Sequence, residues 1–436
     1  MTTFAAPRAA LRAAVRPPDQ AEHVDLRRRR LTLPTVAAFA GGVFMLLTYS
    51  QGWEMPLTGD QAEASQSALL RAIYFPAYAV AVGLLLAFPW TSLRALVRQP
   101  FLIAIMLIVA ASVLWSVSPD QTMRRIVACY CTTLAGVVLA ARWRWAALAE
   151  VVAATFAILA VCCLITALFF PSIGRMTELF PGAWRGLWQE KNALGSNMAL
   201  GFVVSAAAAV LNPRRAMLWW AMAALALVLL LASTSKTSLV SLVLGAGVMA
   251  FIALARRSPA SSVAATWAAL IGIGLIAAFI VFASDIFLGL LGKDATLTGR
   301  TKIWAGVIER IRERPWQGYG YGAVWDEEGP WGPLAKITRT AGFRAHHAHN
   351  SWLEQWIDLG LFGLSAWALM FVQTMVTGVV AVYREKGAYL ALPFLVVYAL
   401  MTLTESVAVT YNDMRWTIFV ALAVKLAFPD RELDRR

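Results

Sequence analysis

Long apolar segments alternate with short polar ones along almost the whole chain. These apolar segments lack the alternation of a β-barrel strand, and many can cross roughly 30 Å of hydrocarbon as a helix. In lipid, backbone groups must be hydrogen-bonded within the protein, which an α-helix achieves by itself. The pattern predicts an all-α polytopic membrane protein with about twelve transmembrane helices, at approximately 31–50, 71–89, 101–117, 123–141, 146–170, 192–211, 216–233, 236–255, 263–283, 351–382, 388–405 and 413–428.

The polar stretches divide this predicted bundle. The first 30 residues carry arginines but no apolar segment typical of a signal peptide, so we expect a cytoplasmic tail rather than a cleaved leader. A longer polar stretch interrupts the apolar pattern after the ninth segment. The predicted organisation is an N-terminal cytoplasmic tail 1–30, helices 1–9 over 31–283, a large periplasmic loop 284–350 between helices 9 and 10, helices 10–12 over 351–428, and a C-terminal cytoplasmic tail 429–436.

Composition and charge agree with this architecture. Of 436 residues 59% are hydrophobic and 14% charged, the mean hydropathy is +0.64, and the net charge is +13. The basic residues fall in alternate loops, for example Arg214 with Arg215 and Arg256 with Arg257, which is the positive-inside pattern and places both termini in the cytoplasm. Because orientation explains the excess of positive charge, nucleic-acid binding is not expected.

The periplasmic loop contains an amphipathic segment, LTGRTKIWAGVIERIRERPW (297–316). Thr298 is a candidate cap for a helix that Pro315 would end, and an apolar stripe is formed by Ile303, Val307, Ile308 and Ile311. The simplest interpretation is a helix at the membrane interface with a solvated basic face. Arg300, in its first turn, is a candidate for a more specific role.

A glycine- and aromatic-rich stretch, QGYGYGAVWDEEGPWGP (317–333), follows. It resembles a phosphate-binding loop or a potassium filter only superficially, because nucleotides are absent outside the cytoplasm and the filter motif is incomplete. We expect its glycines to permit tight turns. The aromatic residues would form a belt at the interface or stack on sugar rings: Trp316, Tyr319, Tyr321, Trp325 and Trp331.

Three cations lie where the positive-inside rule predicts few, at the outer ends of apolar segments. Lys191 lies in GLWQEKNALGSNMALG (186–201), Lys236 in LASTSKTSLVSLVLG (231–245), and Arg300 in the loop. A charge within the bilayer costs about 3 kcal/mol on insertion scales, although each lysine can extend toward water. Three cations on one side indicate an anion, and a lipid-linked phosphate or diphosphate fits that position.

Three of the four histidines lie in HHAHN (346–350), at the start of the tenth apolar segment. One interpretation is a metal site, with His346 and His349 one helical turn apart and acidic residues within 326–328 as further ligands. A second is a set of hydrogen-bonded interface histidines. The third is a general base, because neutral imidazole can accept a proton from a hydroxyl. Beside a bound diphosphate, a general base would serve glycosyl transfer from a lipid carrier to an alcohol.

The same residues resemble a known family. His349-Asn350, nine residues, Gly360, two residues and Gly363 resemble the His-Asn/Ser/Gln motif of the O-antigen ligase family. The segments GRTKIW…RPWQGYGYG and EKNALG are similar to other parts of this superfamily, which includes O-antigen and exopolysaccharide polymerases. The resemblance covers roughly residues 185–365. We expect Gly360 and Gly363 to let the tenth helix pack closely against a neighbour.

The resemblance implies an inner-membrane enzyme of Gram-negative bacteria, with its active site facing the periplasm. The donor would be an undecaprenyl-diphosphate-linked glycan and the acceptor a sugar hydroxyl of lipid A-core, without metal, cofactor or nucleotide. His349 would take the position of the catalytic base. The other residues would bind the diphosphate (Lys191, Lys236 and Arg300) or support the site (Asn350, His346, His347 and Glu190).

Two alternatives remain open at this stage. A polymerase would use the same donor but pass the glycan to another carrier-linked chain. A lipid-linked glycan flippase or another transporter would need charges along a path through the bilayer, whereas the candidate cations gather at one side.

Overall fold

A computed structural model describes residues 32–58, 71–177, 180–282, 299–325 and 329–435 of the protein. The predicted N-terminal tail, Thr298 and the acidic residues 326–328 lie outside these ranges. The chain divides into two units, Met1–Gly41 and Gly42–Arg436, and the description below concerns the second. Within the described residues the protein is helical, and its β-structure is one isolated bridge between Arg175 and Trp184.

Every predicted apolar segment forms a helix. Several helices begin with proline at the first position, where its fixed φ favours the first turn and its missing N–H costs nothing. The helices are α1 Leu33–Tyr49, α2 Glu54–Thr58, α3 Phe75–Ala87, α4 Pro89–Val97, α5 Pro100–Ala111, α6 Pro119–Arg142, α7 Trp145–Phe169, α8 Pro171–Gly174, α9 Lys191–Leu211, α10 Ala216–Ala232, α11 Lys236–Ala255, α12 Pro259–Phe282, α13 Arg300–Glu313, α14 Pro333–Ala341, α15 Ser351–Arg384, α16 Ala388–Thr404 and α17 Met414–Ala427.

The helix lengths support a multi-pass membrane protein but not the full number of spans. Among the described residues, six helices are long and apolar enough to cross a membrane, or seven if α3 and α4, which meet at 96°, form one broken span. The 12 residues of α5 extend only about 18 Å, less than the hydrocarbon thickness. The α-helical membrane fold is therefore confirmed, whereas twelve spans and the periplasmic side of the loop stay predictions.

An aromatic cluster fixes the last three helices against one another. Trp367 of α15, Tyr398 of α16, and Trp416 and Phe419 of α17 are all fully buried. The rings of Tyr398 and Phe419 stack with centroids 4.9 Å apart, and those of Trp367 and Phe419 lie 5.3 Å apart. Large buried rings supply much of the packing energy of a core. This cluster therefore holds α15, α16 and α17 together.

The helices α11 and α16 run antiparallel. Ile252 and Ala255, at the end of α11, share a buried cluster with Ala388 and Leu392 at the start of α16. The beginning of α11 and the end of α16 therefore lie together at the opposite end of the bundle. We call this the outer end, because the sequence predicts that it faces the periplasm.

The apolar face of the amphipathic helix α13 was expected to lie at the membrane interface, but it packs against another part of the loop. Ile303, Val307 and Ile311 pack against Leu334 and Ile337 of α14 in a small core of the loop. Ile308, also expected in the stripe, is exposed. The helix ends at Glu313, just before Pro315, as predicted. Because a second loop helix covers the apolar face, α13 is part of a folded subdomain rather than an isolated interfacial helix.

A break at Gly360 joins this subdomain to the membrane helices. Gly360 has φ of 66° and interrupts α15, so carbonyl groups of the preceding turn are available to other segments. Tyr319 N–H donates to the carbonyl of Ile357 and Gly320 N–H to that of Asp358, each at 2.9 Å. The close packing expected at Gly360 is thus against a loop and not a neighbouring helix.

The glycines and aromatic residues of the loop have different roles. Gly318, Gly320 and Gly322 all have positive φ, which confirms that they permit tight turns. Trp316 and Trp331 are exposed, as an interfacial belt would require. The belt prediction is wrong for Tyr319, Tyr321 and Trp325, which are buried because they pack within the subdomain and against the bundle.

Replacing Gly360 with alanine should destabilise the protein. A Cβ atom there would overlap the carbonyl oxygen of Trp316, and the backbone is left-handed. The conformational penalty and the overlap together predict a loss of at least about 2 kcal/mol. Thermal unfolding in detergent measures it. Gly247→Ala is the matched control, because a Cβ atom there meets nothing within 4 Å; equal melting of the two variants would contradict the role of the break.

Candidate active site

His349 lies immediately before α15 in an unusual backbone conformation. Its φ is 50°, which is uncommon for a residue other than glycine and is often found at functional sites. The next residue, Asn350, caps the helix: its Oδ1 accepts hydrogen bonds from the N–H groups of Trp352 at 2.9 Å and Leu353 at 3.1 Å. Asparagine is among the best residues for this position. Asn350 therefore fixes the backbone on which the histidine is carried.

Glu405, the first residue after α16, contacts two of the predicted site residues. Its Oε2 lies 3.2 Å from Nδ1 of His349, and its Oε1 accepts a hydrogen bond from Nη2 of Arg300 at 3.0 Å. The two contacts use different oxygens, so one carboxylate joins both side chains. Arg300, the first residue of α13, is thus a partner of Glu405, which the sequence did not predict.

The neighbours of Glu405 keep its side chain ionised. Burial by itself would raise the pKa of this carboxyl group, but the hydrogen bond with His349 and the positive charge of Arg300 outweigh it and lower the pKa to about 2. Glu405 is therefore a carboxylate at physiological pH and can only accept hydrogen bonds.

His347 packs directly against His349. The two ring centroids are 3.8 Å apart, and Nδ1 of His347 accepts a hydrogen bond from the backbone N–H of His349 at 3.2 Å. Burial, followed by the influence of His349, lowers the pKa of His347 to about 3. A neutral His347 therefore holds the backbone of His349 without adding a second positive charge. His346 is exposed.

Lys191 and Lys236 form a second group. They are the first residues of α9 and α11, and the positive charge of Lys236 acts on Lys191. The helix starts are joined by a hydrogen bond of 2.9 Å from Ser235 Oγ to Asn192 Oδ1. The ammonium group of Lys191 also lies 3.6 Å from the ring centre of Phe180. Two like charges at two helix N-termini favour a negatively charged ligand.

Both groups lie at the outer end of the bundle. Lys236 begins α11 and Glu405 follows the end of the antiparallel α16, so helix direction brings them to the same side. Lys191 accompanies Lys236, while Arg300 and His349 accompany Glu405. The predicted cations are thus at one end and not spread through the bilayer.

A buried carboxylate, that of Glu354 in α15, fixes the segments that carry His349 and Glu405. It accepts hydrogen bonds from Ala348 N–H at 2.8 Å, from Ser406 Oγ at 2.8 Å, and from the indole N–H of Trp325. Ala348 precedes His349, and Ser406 follows Glu405. A buried carboxylate without partners is costly, so these bonds make the relative position of the two segments specific.

The side chains of His347, His349 and Glu405 also satisfy the first requirement of a metal site. Their candidate ligand atoms all lie within 4.8 Å of one another. However, Oε1 of Glu405 already binds Arg300, whose positive charge would repel a divalent cation beside it. The donor set therefore fits a histidine hydrogen-bonded to a carboxylate better than it fits a metal ion.

The structure sorts the predicted residues into four sets. It brings together His349, His347 and Arg300, and it places Lys191 beside Lys236. It gives Asn350 a local capping role, and it leaves Glu190 and His346 exposed. Sequence reasoning missed Glu405. Its signal was a lone acidic residue at the outer end of the eleventh apolar segment, on the side that carries the unexpected cations.

Comparison with known proteins identifies related sequences for part of the chain. Residues 221–368 match the family model described as O-antigen ligase, which confirms the resemblance indicated by the sequence. The exopolysaccharide production protein ExoQ of Rhizobium meliloti (strain 1021) is 33% identical over 199 residues. This match spans 43% of the chain and less than half, 45%, of the relative. The family match includes Lys236, Arg300 and His349, whereas Lys191 and Glu405 lie outside it.

Proposed function

Because residues 221–368 match the family model described as O-antigen ligase, we propose that this chain is a membrane glycosyltransferase with a lipid-linked donor. The donor is a glycan on undecaprenyl diphosphate, and the acceptor is a sugar hydroxyl of lipid A-core. The enzyme lies in the bacterial inner membrane with both termini in the cytoplasm. The outer end of the bundle, with the site, faces the periplasm, where donor and acceptor meet.

The observation that supports this proposal best is the pairing of His349 with Glu405. A carboxylate accepts hydrogen bonds only, so Nδ1 of His349 carries the hydrogen of this bond, and Nε2 is the nitrogen that bears the lone pair when the ring is neutral. A neutral imidazole with one free lone pair is suited to remove a proton from a hydroxyl. The lysine pair at the same end of the bundle is suited to a diphosphate.

The reaction follows from these roles. Nε2 of His349 takes the proton of the acceptor hydroxyl, and the oxygen forms a bond to the anomeric carbon. The bond from that carbon to the diphosphate oxygen breaks, and its electron pair leaves with the diphosphate. Attack from the opposite face inverts the anomeric centre. Lys191, Lys236 and Arg300 stabilise the negative charge that develops on the leaving group.

The proposal gives Lys191 and Lys236 the larger part in diphosphate binding. Arg300 uses one of its five N–H donors for Glu405, so its positive charge is shared between that carboxylate and the donor. Lysine binds phosphate as a point charge rather than as a bidentate fork. Such a site accepts a diphosphate in several orientations. This tolerance suits donors that share the lipid diphosphate and differ from one another mainly in the glycan.

A polymerase is the second candidate. The name of the Rhizobium meliloti relative refers to exopolysaccharide production, which favours transfer to another carrier-linked chain. Both activities require the same donor site and base, so they differ only in the acceptor. A flippase would need charges along a path through the bilayer, and it is disfavoured because the candidate cations Lys191, Lys236 and Arg300 lie at one end of the helices.

A transfer assay separates the candidates. Purified protein is mixed with an undecaprenyl-diphosphate-linked glycan and lipid A-core, in EDTA and without nucleotide. We expect glycan on lipid A-core, and a rate about 100- to 10,000-fold lower with His349→Ala, because that variant lacks the base while its donor affinity persists. Longer carrier-linked chains with unmodified lipid A-core would identify a polymerase. Neither product from the wild type, or full activity of the variant, would contradict the proposed function.

Removal of either lysine should weaken donor binding. Lys191→Ala and Lys236→Ala each lose a charge-assisted contact, and about 1.5–3 kcal/mol corresponds to a 10- to 100-fold weaker affinity. The measurement is the donor concentration dependence of the initial rate. Lys302→Ala is the matched control, since Lys302 is an exposed lysine of α13. Equal behaviour of all three variants would show that the lysine pair does not bind the diphosphate.

A further inference from the structure

We propose that Glu405 is the positioning residue of the base: it fixes the tautomer and orientation of His349 and stabilises the imidazolium that forms during transfer. This inference rests on the proposed function. Glu405 does not contact the substrate in this scheme. It acts through His349, in the manner of the carboxylate that orients the histidine of a hydrolase triad.

The geometry assigns the proton. Oε2 of Glu405 is 3.2 Å from Nδ1 of His349, within reach of a hydrogen bond. Because Glu405 is ionised, the bond exists only if Nδ1 carries the hydrogen. When the ring is neutral, Nε2 is then the only ring nitrogen with a lone pair. Without Glu405, neutral imidazole would populate both tautomers, and one of them cannot accept a proton at Nε2.

The carboxylate itself is held from three directions. Arg300 binds its second oxygen at 3.0 Å. Ser351 Oγ, in the first turn of α15, donates to the backbone carbonyl of Glu405 at 2.8 Å. The backbone N–H of Glu405 donates to the carbonyl of Met401 at 2.8 Å, which continues α16. A positioning group requires this kind of rigid support, because small displacements from productive geometry are expensive.

The charge balance around the pair favours imidazolium formation only while Glu405 is negative. When Nε2 takes the acceptor proton, the positive charge lies between a carboxylate and neutral His347. The other charged groups that act on His349 or Glu405 are Arg300, Glu354 and Arg415. Arg300 would repel the imidazolium if Glu405 did not lie between them. Loss of the negative charge should therefore make the base harder to protonate.

The test is the rate–pH profile of Glu405→Gln. Glutamine retains an acceptor oxygen but not the charge, so we expect the rate to fall by about 10- to 1000-fold, within the contribution of a general base. The acidic limb should move to lower pH by about 1 to 3 on the pH scale, because an adjacent opposite charge is lost. Glu405→Asp, which keeps the charge, should keep the limb near its wild-type position. Glu309→Gln, on the exposed side of α13, is the matched control.

The double variant tests whether Glu405 acts through His349. If it does, His349→Ala with Glu405→Gln should be no slower than His349→Ala alone. A wild-type rate in Glu405→Gln, or a reduced rate with an unmoved acidic limb, would overturn the inference while the proposed function stands. The thermal unfolding midpoint of each variant is measured as well, because an unchanged midpoint shows that a change in rate does not come from misfolding.

Histidine nitrogen NMR gives a readout that does not depend on transfer. The chain has four histidines, so selective ¹⁵N labelling is practical, and His349→Ala assigns the signal. In the wild type at neutral pH we expect hydrogen on Nδ1 and a bare Nε2, and in Glu405→Gln a mixture. The opposite wild-type tautomer would overturn the inference. If wild-type protein transfers no glycan, the proposed function fails, and this spectrum still decides whether Glu405 orients His349.

Discussion

The carboxylate of Glu354 connects three segments that are far apart along the chain. Its hydrogen bonds reach Trp325 in the loop, Ala348 before His349, and Ser406 after Glu405. Because the group is buried, its stability depends on all three donors together. The loop subdomain, the start of α15 and the end of α16 therefore cannot move independently. The Glu405–His349 contact joins two of these segments, the start of α15 and the end of α16.

The distribution of charge at the outer end follows a simple electrostatic rule. Arg300 is compensated by Glu405, and His347 is neutral, so the histidine group carries little net charge. Lys191 and Lys236 instead repel each other, and an anion between them would relieve the repulsion. Two positively charged lysines at neighbouring helix N-termini therefore favour a negatively charged ligand there.

Much of the fold followed from the sequence, because helices in lipid have few alternatives. The apolar segments predicted every long helix of the bundle, and Pro315 correctly marked the end of α13. For Gly360 the sequence predicted close packing but not a break in the helix. The loop segment that packs there lies about 40 residues earlier in the chain, so no local sequence pattern identifies it. Tyr319 and Trp325 were misassigned for the same reason: an aromatic residue at an interface and one in a small core look alike in sequence.

The sequence predicted those site residues whose charge is unusual for their position along the chain. His349, Arg300 and the two lysines could be identified because they lie in cation-poor or histidine-rich positions. Glu405 could not, because its importance comes from its partners, which are 56 and 105 residues away in the chain. The capping role of Asn350 was not predicted either, because Asn350 follows His349 in a motif that indicated a catalytic site.

We propose that the lysine pair and the Arg300–Glu405–His349 group form one site for a lipid-linked diphosphate and its acceptor. A cryo-EM structure with a non-cleavable phosphonate analogue of the undecaprenyl-diphosphate glycan would show where the donor binds relative to that site. The proposal predicts the phosphorus atoms between Lys191 and Lys236, with the anomeric carbon turned toward Nε2 of His349. Density for the diphosphate away from the lysines, or an anomeric carbon on the far side from His349, would contradict it.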